Sequence, residues 1–487
     1  MKLSDLIKNI DISKLINFSD IDIKSLSCNS KEKNENGLFF CFAGLKADGH
    51  EFYADAMSNG AVAFITEREI MTTVPQIVVS DARKIMGIVA SNFYDNAASK
   101  LKIIGITGTN GKTTTTYLLR EIFMEAGLKV GLIGTSGIYI DTLKLPAHMT
   151  TPDPIELHKL FSQMYKSGVK VVVMEVTAHA IDLNKMAGVV CDIAALTNVT
   201  QDHLDYFKTM ERYAAVKASF LTKKWCKLAL INADDVIGRQ IAHTSDVRCA
   251  SYGITQPSNV FAVDINMSIK GTTFVINLFD ELAEIKTNLT GQFNVYNTLC
   301  ACGVARLYGV PLSTIVMGVS NLQKVEGRFN QMETPFGFGV IIDYAHTPDG
   351  LVNVMAAARA LTKNRLITVF GCGGDRDRTK RPIMGKIVSE NSDVTIITSD
   401  NPRTENPDDI IAEIKAGTDI AKKCECIENR QKAIIYALES AKSGDIVLIC
   451  GKGAEDYQEI MGVKHPFKDE KAVLSTIKNM KNGRCAK

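Results

Sequence analysis

A lysine and a threonine set directly behind a glycine turn can hold a phosphate, and the stretch Gly108-Thr109-Asn110-Gly111-Lys112-Thr113 offers that arrangement. The glycines let the backbone turn tightly and aim amide N–H groups at an anion lying at the positive end of a helix. Lys112 would reach the β- and γ-phosphates, and the Thr113 hydroxyl could hold a magnesium ion. The candidate nucleotide-binding residues here are Gly108, Thr109, Asn110, Gly111, Lys112, Thr113 and Thr114. The loop is a shortened form, G-x-x-G-K-T, because Ile106 stands where a full Walker loop carries its first glycine. An ordinary glycine turn before a helix is the plain alternative.

A triphosphate brings divalent cations, which need oxygen or imidazole ligands near the loop. The apolar run "VVVMEV" ends at Glu175, and "IAALTNVT" runs into Asp202, His203 and Asp205. In a parallel sheet, side chains at such strand ends gather around the ligand. Each of these residues could instead cap a helix or carry a surface charge. Lys217, in "YAAVKASF", reads from composition and periodicity as a solvated helix lysine.

The elements that must position these groups alternate between strand and helix. Leu101 to Thr107 has strand length, and Leu118, Leu119, Ile122, Phe123 and Ala126 then recur at helical spacing before Gly127, a C-terminal cap. Residues 1–95 read as a small α/β domain without a phosphate loop, with strands in "GLFFCFAG", "GAVAFIT" and "QIVVSD". Residues 96–330 read as a central P-loop ATPase-like domain with a mostly parallel sheet, carrying an added hairpin, "FAVDINMSI-KG-TTFVINLF". Residues 331–487 read as a C-terminal Rossmann-like domain built on "GVIIDYAHT", "RLITVFGCGG", "DVTIITSD" and "DIVLICGKG". In "GCGGDR", Arg376 occupies the last glycine position of a dinucleotide fingerprint, so no dinucleotide is indicated. The expected fold class is therefore α/β in three domains.

Composition narrows the classes. Hydrophobic residues at 46 % and charged residues at 23 % describe an ordinary globular chain of 487 residues. A formal net charge of +2 argues against a broad nucleic-acid face. The opening "MKLSDLIKNIDISKL" lacks the apolar core of a signal peptide, and no apolar run of about 18 residues occurs to span a membrane. Twelve scattered cysteines without a C-x-x-C pair then fit reduced thiols, and a cytoplasmic location is expected.

The segments "GITGTNGKTTTTYLL", "MEVTAHA", "LTNVTQDHLDY", "YAAVKASF", "LTGQFNVYN", "EGRFN", "VIIDYAHTPDGL", "GCGGDRDRTKRPIMG", "SDNPRTENP" and "GKGAEDYQ", in this order, resemble the Mur ligases over nearly the whole chain. Within that family they are most similar to the ligases that add the third residue of the UDP-N-acetylmuramoyl peptide. The resemblance implies ATP-driven phosphorylation of the D-Glu γ-carboxylate of UDP-MurNAc-L-Ala-D-Glu. An amine then attacks the acyl phosphate. It implies a carbamate, formed from carbon dioxide, on Lys217, ligating Mg2+ with Glu175 and His203 beside it; Lys112, Glu175, His203 and Lys217 are thus the expected catalytic set. It places nucleotide contacts at Asn294, Asn297, Arg328, Asp343 and His346, though turn and cap chemistry would also suit them. It places UDP-substrate contacts at Ser30, Thr150, Thr151, Thr177 and Lys185. Departures from the family pattern occur at Asn29, Lys31, Ala178, Lys185, Asn330 and Ala454. A monomer is expected.

The incoming amine is read from "SDNPRTENPDDIIAEI". Asn406 caps a helix whose first residue is Pro407, which leaves Asp400-Asn401-Pro402-Arg403 as a rigid loop after a strand. Its plain role is a turn with an exposed arginine. It also resembles the signature of family members that add meso-diaminopimelate. The physics agrees: this amino acid is lysine with a carboxylate beside its distal amine, which Arg403 can grip through two parallel N–H bonds, Asn401 adding another. The resemblance sets Arg376, Gly451 and Glu455 around the same substrate. Arg376 lies in the charge run "DRDRTKR", whose simpler reading is a solvated loop. Alternatives are the same reaction with L-lysine, a folylpolyglutamate-type synthetase, and a nucleotide-gated regulatory protein that forms no bond.

Overall fold

The computed structural model describes residues 1–44, 47–268 and 270–483. Three main sheets follow one another along the chain. The first has five strands in the order Lys14–Ile16, Gln76–Val78, Ala61–Thr66, Gly37–Phe40, Ser25–Ser27. All pairings but the outermost one, Lys14–Ile16 with Gln76–Val78, are parallel. Its two edge strands are three residues long and carry no alternation that the sequence could announce.

The central sheet has eleven strands. The phosphate-loop strand, Lys102–Thr107, lies between Val171–Glu175 and Cys191–Leu196, parallel to both. This order brings the ends of the two runs that carry Glu175 and Asp202 to the two sides of the loop. The strands are apolar on both faces, as they must be when helices cover each side. Helices Lys112–Glu125 and Gln292–Tyr308 pack on one face with Ile104, Ile106, Leu118 and Leu299, all fully buried. Helix Pro154–Lys166 covers the other with Leu157 and Phe161. The added hairpin is present as Val260–Ser268 and Gly271–Leu278, antiparallel, and a further strand, Glu281–Thr287, extends it; Ile269, expected in the hairpin, lies outside the described residues.

The third sheet runs Asn330–Glu333, Gly339–Asp343, Ile446–Cys450, Leu366–Phe370, Val394–Ile397, Cys424–Cys426. All of it is parallel except its first pair. Arg430 and Asp469, both fully buried, close a bidentate pair between two helices on this sheet, and Arg430 also donates to the Cys450 carbonyl. A small hairpin, Tyr457–Ile460 with Val463–Pro466, follows strand Ile446–Cys450. Residues 484–487 of the expected C-terminal domain lie outside the described residues. The three sheets with their helices make a three-domain α/β architecture.

Candidate active site

One cavity of about 800 Å³ opens at the C-terminal ends of the central parallel strands, facing the third sheet. Loops Thr109–Thr114 form its floor. The loop's shape requires glycine at two positions. Gly108 has φ +145°, and a Cβ there would meet Thr197 Oγ1 at 1.8 Å; Gly111 has φ +88°, and its Cβ would meet Asn297 Oδ1 at 2.3 Å. Helix Lys112–Glu125 starts at Gly111, so its free N–H groups point into the cavity. Lys112 Nζ donates to the carbonyls of Gly108 and Thr109 at 2.8 and 2.9 Å. Burial pushes its ammonium down from the ordinary lysine value, against the opposing charges of Glu175 and Asp202.

Thr113 Oγ1 donates to Glu175 Oε1 at 3.0 Å, and Arg328 donates to the same hydroxyl at 3.1 Å. Glu175 also accepts from the Thr135 amide and hydroxyl. A hydroxyl beside a carboxylate at a phosphate loop is a hard-oxygen donor set suited to Mg2+. Among the described residues no group of three or more His, Cys, Asp or Glu side chains is arranged to hold a metal by itself. That fits magnesium, which takes one or two carboxylates and completes its shell with water and phosphate oxygens. His203 lines the same cavity in a left-handed conformation, φ +57°. Burial pushes its imidazole down to about 3 despite the pull of Asp202, so the ring is neutral and free to act as a donor at neutral pH.

Lys217 does not line the cavity. It lies on helix Met210–Ser219 with 1 % of its surface exposed, its ammonium 4.8 Å from the Tyr213 ring centre, and Tyr213 contacts Thr109 of the phosphate loop. The plain expectation of a solvated helix lysine is therefore wrong: the helix turns this face inward. Burial, with the charge of Lys112 adding to it, pushes Lys217 well below the lysine range, which favours the neutral amine.

Asp202 links the central and third sheets. Lys380 lies 3.5 Å from it, His203 Nε2 3.3 Å and His346 Nε2 3.9 Å. Burial alone would raise the Asp202 carboxyl; Lys380 and the imidazoles hold it below the usual carboxylate range instead. Of these neighbours Lys380 acts most strongly on Asp202, and burial pushes both His203 and His346 down toward neutrality. A second bridge runs from Asn110 Nδ2 to Asp349 Oδ2, at 2.8 Å. Neither Lys380 nor Asp349 was singled out from sequence. Lys380 had a signal: Asp377, Lys380 and Arg381 are buried at i, i+3, i+4 spacing inside the charge run. In "DRDRTKR" Arg376 and Arg378 are exposed, whereas a solvated-loop reading fails for these three.

Asn297, Arg328, Asp343 and His346 line the cavity, whereas Asn294 lies behind it, donating to the Thr290 carbonyl and accepting from Asn297. Burial raises the Asp343 carboxyl, partly offset by Arg328 and by the Phe329 and Ala345 amides that it accepts from at 2.7 Å. Thr150, Thr151, Thr177 and Lys185 line another side, with Lys185 paired to Asp153 at 2.8 Å. Ser30 is not part of the lining; it belongs to the first sheet's loops, where its carbonyl accepts from Asn59.

At the third sheet's end Arg376, Asp400, Asn401, Arg403, Gly451 and Glu455 share the cavity wall. Pro402 shapes the loop without lining the cavity. Asn401 Nδ2 donates to Glu455 at 2.9 Å, and Lys452, fully buried, donates to both Asn401 Oδ1 (2.9 Å) and Glu455 (3.1 Å). Lys452 too was missed in a motif where only its neighbours were noted. Arg403 NH1 donates to the Gly374 carbonyl at 2.6 Å and Nε lies 3.4 Å from the Glu459 carboxylate, which leaves the remaining N–H groups of NH1 and NH2 for a ligand.

Residues 22–96 of the chain match the Mur ligase family catalytic domain, 106–305 the Mur ligase middle domain and 327–453 the Mur ligase glutamate ligase domain. It is 41 % identical over 479 residues to UDP-N-acetylmuramoyl-L-alanyl-D-glutamate–2,6-diaminopimelate ligase 1 of Clostridium acetobutylicum, covering 98 % of both chains. It is 42 % identical over 483 residues to the corresponding ligase of Caldanaerobacter subterraneus subsp. tengcongensis, covering 98 % of this chain and 99 % of that one. A solved structure of such a ligase superposes with a TM-score of 0.69 at 31 % identity, over 99 % of each chain. With matches to all three domains and relatives of this likeness end to end, the chain belongs to the Mur ligase family.

Proposed function

We propose that the protein is an ATP-dependent, ADP-forming amide ligase of peptidoglycan precursor synthesis, adding meso-diaminopimelate to UDP-N-acetylmuramoyl-L-alanyl-D-glutamate. The observation that carries this reading is the single cavity whose floor is the phosphate loop and whose far wall holds Asn401, Arg403 and Glu455. The γ-phosphoryl group of ATP passes to the D-Glu γ-carboxylate, forming a mixed anhydride and ADP. The neutral amine of the amino acid attacks its carbonyl carbon. Phosphate then leaves with the C–O electron pair, the nitrogen gives up a proton and the amide remains. A carboxylate is a poor electrophile, and phosphorylation supplies the leaving group.

In this reading Gly108–Thr114 bind the polyphosphate, and Lys112 offsets the charge gathered where two anions meet. Asn297, Arg328, Asp343 and His346 contact the nucleotide, with Asn294 setting Asn297. Thr113, Glu175 and His203 would hold Mg2+, which would neutralise phosphate charge. Lys217 would add to CO2 through its neutral amine, releasing one proton and becoming an anionic carbamate able to supply oxygen ligands to the metal. Its burial, with desolvation outweighing the more distant charges of Asp202 and Asp235, supports this, because only the unprotonated amine can attack CO2. Thr150, Thr151, Thr177 and Lys185 receive the UDP-linked substrate, with Ser30 at its far end. Arg403 and Asn401 take the distal carboxylate, Arg376 another carboxylate, and Glu455 and Asp400 an ammonium. The working domain limits remain 1–95, 96–330 and 331–487, and the working state a cytoplasmic monomer; no helix among the described residues is long and apolar enough to cross a membrane.

The test is mass detection of the product made from UDP-MurNAc-L-Ala-D-Glu, ATP, magnesium and a mixture of amino acids. The expected product carries meso-diaminopimelate. A lysine product would overturn the amine, folate-dependent turnover would point to a folylpolyglutamate-type synthetase, and nucleotide binding without any bond formed would overturn the ligase reading.

A further inference from the structure

The strand Tyr457–Ile460 lies outside the cavity, yet it holds the loop Asp400–Arg403 at Asp400, Asn401 and Arg403. Gln458 Nε2 donates to the Asp400 carbonyl at 2.7 Å. The Glu459 amide donates to Asn401 Oδ1 at 2.9 Å, which leaves the Asn401 amide nitrogen turned the other way. The Glu459 carbonyl accepts from the Arg403 amide at 3.0 Å, and its carboxylate lies 3.4 Å from Arg403 Nε. Met461 N donates to the Arg403 carbonyl at 2.6 Å. Arg403 itself has φ +53°, a left-handed conformation that costs a non-glycine residue roughly 1–3 kcal/mol and persists only where neighbours enforce it. Those neighbours are Glu459 and Met461.

We infer that Glu459 is a positioning residue for selection of the incoming amino acid: it touches both side chains assigned to the distal carboxylate and fixes the direction in which Arg403 presents its fork. The inference rests on the assignment of Asn401 and Arg403 proposed above. Glu459 pairs with the Nε edge and Gly374 with part of NH1, so the remaining N–H groups of NH1 and NH2 are the ones offered to a ligand. An arginine tethered on one edge loses less rotamer freedom on binding than a free one. Lysine has no distal carboxylate, so its turnover reports damage to the hairpin that has nothing to do with this tether.

The experiment measures kcat and KM for meso-diaminopimelate and for L-lysine, at saturating ATP and UDP-dipeptide, with the full-length protein and its Glu459→Gln and Glu459→Ala forms. Ordering a rotamer-rich side chain is worth up to about a tenfold factor, so Glu459→Ala should raise KM for meso-diaminopimelate by about tenfold and Glu459→Gln by about threefold. The values of kcat, KM for ATP and lysine turnover should stay unchanged. In an Arg403→Ala background the Gln change should do nothing further, because the group it positions is gone. An unaltered preference, an equal loss with both amines, or full additivity with Arg403→Ala would each overturn the inference. If Glu459→Ala does not fold, Glu459→Gln, which keeps shape and a hydrogen-bond acceptor, carries the test alone. A wild-type protein that shows no preference, or forms no amide, defeats the underlying assignment instead, and is recognised before any variant is made.

Discussion

One contiguous stretch, Gly108 to Thr113, makes the end of the cavity assigned to phosphate, and it does so with backbone: two positive-φ glycines, a helix start and short contacts to Thr197 and Asn198. The opposite end, assigned to the amino acid, draws on Arg376, on Asp400–Arg403 and on Gly451–Glu455, brought together by strands Leu366–Phe370, Val394–Ile397 and Ile446–Cys450. Side chains take part in most of its contacts, and Lys452 holds two of them at once. Backbone donors recognise what every phosphate shares. Side chains on separate loops can be exchanged one at a time, so the second end can set which substrate is chosen without disturbing the first.

That contrast can be broken by experiment. The largest effect is expected at Lys217: Lys217→Ala should lower amide formation by about a hundredfold or more, the loss typical of removing a preorganised charge from a transition state. Phosphate-release assays with added short carboxylic acids should recover part of it. Gly108→Ala comes next. Its φ of +145° and the 1.8 Å approach to Thr197 leave no room for a Cβ. Strain of roughly 1–3 kcal/mol should weaken nucleotide binding on the order of tenfold to a hundredfold, measured by titration calorimetry. It should leave the preference between amines alone. Arg403→Ala should do the reverse. Nucleotide affinity stays, while a competition between meso-diaminopimelate and lysine loses about 1.5–3 kcal/mol of discrimination, the value of a charge-assisted hydrogen bond. If either variant shifts both readouts together, the two ends are not separable.

The smallest effect concerns pH. Burial pushes His203 down to about 3 and His158, whose Nε2 lies 3.0 Å from the Ala187 carbonyl, down to about 4. Each is neutral in the folded protein, while the unfolded chain takes up a proton near pH 6.5. Their contribution to stability is therefore complete above that value and is lost as pH falls toward 4 and then 3. Melting temperatures followed from pH 7.5 to 5 should decline, and His158→Gln should remove about one proton from the slope. The same change should leave activity at pH 8 near the wild-type value, since His158 is not in the cavity lining.

Much of the central sheet was legible because its strands are apolar runs of ordinary length bounded by glycines or helix starts, and because a phosphate loop needs a strand before it and a helix after it. The edge strands Lys14–Ile16 and Ser25–Ser27, the hairpin Tyr457–Pro466 and the extra strand Glu281–Thr287 escaped notice: short or polar segments take their form from the partner they pair with. Lys217 and Lys380 show the same limit among charged residues. Composition puts lysines in solvent, and only the packing of Tyr213 over one and Asp202 beside the other removes them from it.

The sequence by itself determined the phosphate loop, the alternation that forces parallel α/β sheets, and an Asn-Pro-Arg loop set before a capped helix. All three are local, since each depends on residues close along the chain. Only the tertiary structure decided that Lys217 loses its water, that Asp202 meets Lys380 across two sheets, and that Glu459 holds Arg403. These depend on contacts between distant segments, where burial and opposing charge, not residue type, set what a side chain can do.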